Sequence, residues 1–253
     1  MLGDREPRSY SSEWQQGAEA YGTAGFVAQA PAEVRASFLR KTYATLFGGV
    51  TIAIGTACAL TLFVLTTRNP VLLSLYRAMG SGMGALLTIG AYMVLGMAVS
   101  SVARVKGINL LAFAFFTAFT GFVISPLLVY SVATTKSFLI VWQALGLTTV
   151  AFGALTGYVL VSGKDFAFMK GFLWTGFWIV LALIIVGIWI PSSAFHLALT
   201  CVGLLLFAGF VLYDTSEVMH RMMPDEYVAG ALALFVDFIN MFVRILRLLT
   251  QRN

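Results

Sequence analysis

Two carboxylates stand where water is scarce. Asp214 ends the apolar run that begins at Leu204, and Asp237 sits inside the run from Tyr227 to Leu246. An unpaired charge at that depth costs ~3 kcal/mol on insertion scales. Protonation or pairing costs less, so each acid marks a functional position whose partner should be named. A turn near Pro224 to Glu226 puts Asp214 about 11 residues before it and Asp237 about 12 after it, ~17 Å away on either side. The two carboxyls can then face each other at one depth. At ~4 Å and an effective dielectric of ~20 two full charges repel by ~4 kcal/mol, so such a pair shares one proton. It is a proton sensor, and when fully deprotonated it is a hard-oxygen site for a cation such as Ca²⁺.

The last run extends this chemistry along one face. Asp237, Asn240, Arg244 and Arg247 recur at helical spacing and form a polar stripe. A structural Asp237–Arg244 contact with no transport role is the competing reading of that stripe. The other acids beyond position 34 are Asp165, Glu217, Asp225 and Glu226, which fall in or near breaks between apolar runs. His196 and His220 read as interfacial residues. Cys58 and Cys201 are too far apart to form a disulfide framework or a zinc site. No residue set asks for a resident cofactor or a catalytic group.

The elements that hold these residues follow from composition. Hydrophobic residues make up 59% of the 253 and charged residues 11%, with mean hydropathy +0.89. That is too little charge to cover a soluble surface. Apolar runs cover about 42–66, 82–102, 108–130, 138–161, 166–190, 194–213 and 227–249. Each can cross a ~30 Å hydrocarbon core, and lipid forces each to be helical. The expectation is an all-α membrane protein with seven transmembrane helices over residues 35–253. Residues 1–34 are polar and predict a disordered tail. Gly153 and Gly157 read as a close-packing pair, and Ser125–Pro126 as a kink inside the third span. The segment between the first two spans reads as a plain polar break.

Net charge is +5, but the basic residues are scattered between apolar runs, which points to topology rather than nucleic acid. Arg35, Arg40, Lys41, Arg104, Lys106, Lys164, Lys170 and Arg221 fall on the N-terminal side of the spans. Arg68, Arg77, Lys136, Arg247 and Arg252 fall on the other. The bias puts the N terminus in the cytoplasm. The two C-terminal arginines fit that far side poorly, so the last segment either spans or re-enters.

The motifs Leu212–Tyr213–Asp214–Thr215 and Val236–Asp237–Phe238–Ile239–Asn240–Met241–Phe242, on a seven-span chain, resemble the Bax inhibitor-1 (transmembrane Bax inhibitor motif) family, bacterial YccA-like branch, over roughly residues 35–253. The resemblance implies six helices around a central seventh and a bacterial inner-membrane location. It implies a pH-sensitive Ca²⁺ leak with Asp214 and Asp237 as proton sensor. It also implies a basic latch on the dyad from the cytoplasmic end of the second span, where Arg104 is the match. The ligands would be lipid, Ca²⁺ and H⁺, with no nucleic acid and with any protein partner unknown.

Two other functions compete. An intramembrane aspartyl protease would use Tyr213–Asp214, but its second motif needs Gly-x-Gly-Asp, and Leu234–Phe235–Val236 precede Asp237. A non-conducting scaffold would instead bind and regulate another membrane protein.

Overall fold

In the computed structural model, which describes residues 25–190 and 192–251, the described chain is helical with no strand. The polar residues 1–24, Pro191, Arg252 and Asn253 lie outside the described residues. The helices are α1 (Ala32–Thr67), α2 (Pro70–Gly80), α3 (Gly82–Val102), α4 (Asn109–Thr135), α5 (Leu139–Ser162), α6 (Lys170–Gly187), α7 (Ser193–His220) and α8 (Tyr227–Gln251). All but α2 are long and apolar enough to cross a membrane.

The last helix is the centre. In α8, 67% of the most apolar stretch is buried, against 6% in α3. It touches α1, α4, α5 and α7. Phe113 and Phe116 of α4 meet Phe235 edge-on, and Phe152 of α5 meets Phe238 the same way. The peripheral helices α3 and α6 turn apolar side chains such as Leu87 and Phe172 outward. Lipid covers such a surface at no hydrophobic cost. The helix α8 runs unbroken from Tyr227 to Gln251, which is the geometry of a spanning segment rather than a re-entrant one.

Small residues set the closest approach, but not at the expected pair. A Cβ on Gly121 of α4 would collide with the Ala53 carbonyl of α1, and one on Gly49 would meet the Phe113 ring at 2.5 Å. Gly153 and Gly157 have open space instead. Spacing alone could not tell a helix-facing glycine from a lipid-facing one.

Two other departures, and the helix that contains a proline, have local causes. The presumed break after the first span contains α2. Asn69 caps it by accepting from the Val71 and Leu72 amides at 3.0 and 3.3 Å, and Pro70 opens it. The helix α4 continues through Pro126, because Ser125 Oγ donates to the Phe122 carbonyl that the proline cannot serve. Finally, residues 25–34 are not a free tail. A 3-10 turn at Val27–Gln29 packs on α1 and α7, Val27 is 1% exposed, and its amide donates to the Met222 carbonyl at 2.8 Å.

Candidate functional site

Helices α7 and α8 form an antiparallel hairpin, joined by a short link at residues 221–226. The link is tight because Arg221 ends α7 and Tyr227 begins α8, with the Glu226 side chain accepting from the Met223 amide at 3.0 Å. This register brings the Asp214 and Asp237 side chains within interaction range of each other. A carboxylate only accepts, so a carboxyl–carboxyl hydrogen bond requires one proton on the pair. Asp237 is 3% exposed and its second oxygen, Oδ2, is buried with no partner. Asp214 is half-buried.

Three buried hydroxyls cluster between α1, α5 and α7. Tyr43 of α1 sits near Thr215 of α7 and Thr156 of α5. None of the three hydroxyls is in good hydrogen-bond geometry, and all are buried. Asp214 is adjacent to Thr215 in the chain. Tyr43, Thr156 and Thr215 thus form a buried hydroxyl group drawn from α1, α5 and α7. Among the described residues there is no group of three or more His, Cys, Asp or Glu side chains able to hold a metal. Two carboxylates suit a transient hard cation better than a tightly kept one, which needs six to eight oxygens.

The other expected site residues are not on the dyad. The Arg104 Nε lies 2.6 Å from Glu226 Oε1, in the link between α7 and α8. Arg104 is therefore paired with Glu226 rather than with the dyad in this structure. The Asn240 amide donates to the Val236 carbonyl of its own helix at 2.8 Å. Arg244 faces α7, stacks on Phe207 at 5.2 Å and makes no ion pair with Asp237 among the described residues.

A charged layer closes the end of the bundle where α1 begins. Lys106 lies 3.5 Å from Asp225. Arg221 forks onto both oxygens of Asp165 at 3.0 and 2.7 Å and also reaches Glu217 at 3.0 Å. Asp165 accepts from the Ala167 amide and the Ser216 hydroxyl as well. The Arg221 hydrogen bonds, then that amide, hold the Asp165 carboxyl well below the usual carboxylate range. The same pairing raises Arg221. The Glu217–Arg221 pair was readable as an i,i+4 spacing. The Asp165–Arg221 pair had no sequence signal.

Residues 35–253 match a family model described as inhibitor of apoptosis-promoting Bax1. The chain is 32% identical over 238 residues to the Golgi anti-apoptotic protein of Vaccinia virus (strain Lister), covering 92% of each chain. It is 34% identical over 233 residues to protein lifeguard 4 of Mus musculus, covering 90% of each. It is 34% identical over 138 residues to an uncharacterized membrane protein of Vibrio cholerae, covering 54% of this chain and 61% of that one.

Proposed function

The chain belongs to the Bax inhibitor-1 family, an integral membrane protein with seven apolar helices, and from that premise we propose that it is a pH-sensitive Ca²⁺ leak channel whose proton sensor is the Asp214–Asp237 pair. The observation that carries this reading is the meeting of two carboxyls from neighbouring helices inside the bundle. With one proton, the pair is a hydrogen bond that ties α7 to α8. With two protons it is neutral and offers a cation little. With none, two like charges repel by ~4 kcal/mol at ~4 Å unless a cation joins them. Each proton gained or lost thus changes both the hairpin and its appeal to Ca²⁺.

On this reading the protein is a passive conduit rather than an enzyme, and it keeps no resident cofactor. Ca²⁺ and H⁺ are its ligands and the bilayer is its solvent. The charged end with Arg104, Lys106, Lys164 and Arg221 is assigned to the cytoplasm by the positive-inside rule, and the N terminus with it. Relatives from bacteria support a bacterial inner membrane.

The test is Ca²⁺ flux into dye-loaded liposomes by the purified protein across about pH 6 to 8. Flux that varies with pH in the natural protein, and loses that dependence in Asp214→Asn and Asp237→Asn, is the expected result. Unchanged flux in both variants rejects the sensor. The relatives named as anti-apoptotic or Bax inhibitor proteins keep one other reading open to the same assay. Absence of flux, together with a stoichiometric co-purifying membrane protein, would favour a non-conducting regulator.

A further inference from the structure

Arg244 brings a positive charge into the bundle that the dyad reading leaves unused. Its guanidinium fills the notch at Gly203, where any Cβ would collide with Cζ and Nη1. The Phe207 ring lies 5.2 Å away, and Nη1 reaches the Leu199 carbonyl only at 3.5 Å. The Nε is buried with no partner. No carboxylate pairs with this cation among the described residues. A ring face and one long hydrogen bond replace only part of the hydration a buried cation loses.

The hairpin register fixes which way this side chain points. With Asp214 opposite Asp237, Phe207 is level with Arg244, while Gly203 and Leu199 lie progressively nearer the far end of the bundle. Helical side chains tilt toward the N terminus of their helix. The Arg244 guanidinium lies the other way, as a snorkelling arginine does. Its alternative rotamer points back toward Asp237, seven residues earlier on the same face and ~10.5 Å along the axis. The long arginine and the aspartate side chain together can close that distance. Asn240, in between, is bound to its own helix. Asp237 itself carries a buried oxygen, Oδ2, with no hydrogen-bond partner.

We propose that Arg244 is the tethered counter-ion of the dyad: when the shared proton leaves, its guanidinium turns from the Gly203 notch onto Asp214 and Asp237 and closes the cation path from the far end. The inference rests on the leak reading for its consequence and goes beyond it in naming the closing group. The other groups around the pair do not substitute for it. Glu217 of α7 acts on Asp214 as a further negative charge and is held by Arg221. Tyr43 of α1 and Thr156 of α5 lie near Thr215 of α7, the residue after Asp214, and offer only hydroxyls. The helix α4 brings Phe113 and Phe116, which do not ionise. Arg247 of α8 acts on Arg244 as a like charge and favours its departure.

The experiment follows the infrared carboxyl band of the protonated dyad against pH, alongside Ca²⁺ flux, in full-length protein in liposomes. Asp237→Asn identifies the band. In Arg244→Gln the band should persist about one pH unit higher, the lower bound for losing an opposite charge at ion-pair range. Flux at about pH 8 should rise severalfold. Arg244→Lys should fall between. Gly203→Ala keeps every charge but fills the notch, so the band should vanish at lower pH and flux should drop. A band unmoved in both Arg244→Gln and Gly203→Ala overturns the counter-ion. A band that moves as stated in a protein that passes no Ca²⁺ upholds the counter-ion and removes the leak.

Discussion

Arg221 grips Asp165 through both terminal nitrogens, at 3.0 and 2.7 Å, and so ties the loop after α5 to the end of α7, the helix that carries Asp214. Asp165 is 47% exposed, so solvent screens the pair and its worth is about 1 kcal/mol or less. The sign follows from its lowered carboxyl. Its contribution is present above the unfolded carboxylate range near 3.9 and is lost as pH falls toward the folded value. Asp165→Asn should lower the melting temperature in detergent by a few degrees at pH 7. The difference from the natural protein should shrink as the buffer is acidified below about pH 4.

Arg104 should be a bystander to the dyad. It is paired with Glu226 at 2.6 Å and is itself 68% exposed. Arg104→Gln is expected to leave the pH midpoint of Ca²⁺ flux in place and to change stability by less than about 1 kcal/mol. A midpoint displaced as far as in Arg244→Gln would return the latch role to Arg104.

The α1–α4 contact is governed by one missing methyl group. Gly121→Ala should cost about 1–3 kcal/mol, because its Cβ meets the backbone carbonyl of Ala53 and the helices must part. Gly153→Ala meets nothing and should be neutral or slightly stabilising through helix propensity. Thermal unfolding of the two variants in one detergent separates them directly.

Ser125 serves two partners inside the bundle. Its hydroxyl donates to the Phe122 carbonyl at 2.7 Å and shares a 2.7 Å hydrogen bond with the Tyr76 hydroxyl of α2. Ser125→Ala strands both and should cost about 1–3 kcal/mol. Tyr76→Phe removes only the second contact and should cost less. Equal losses in the two variants would mean that the carbonyl freed by Pro126 finds another donor.

The segment before α1 acts as a seal in packing terms. Val27 joins Phe38, Val218 and Val228 in the main buried apolar core. Val27→Asp buries a charge there without a partner and should cost several kcal/mol, or expel the segment. Faster amide exchange confined to residues 25–31 would identify expulsion, and a lower melting temperature of the whole domain would identify the cost.

The sequence alone determined the parts that depend on counting and spacing. Lipid leaves backbone groups no partner but the helix, so seven long apolar runs had to be seven helices. The charge penalty singled out Asp214 and Asp237, and equal distances from one turn set them level. Tertiary structure decided what spacing cannot carry. Which glycines face a helix depends on rotation about the axis, so Gly49 and Gly121 pack closely while Gly153 and Gly157 do not. Which basic residue sits near which acid depends on loops folding over one another, so Arg104 went to Glu226 and Arg221 to Asp165. The side-chain direction of Arg244 was undecided in the same way. A stripe on one helix face says which residues are neighbours along the axis, but only the notch at Gly203 on the facing helix says which way a long cation bends.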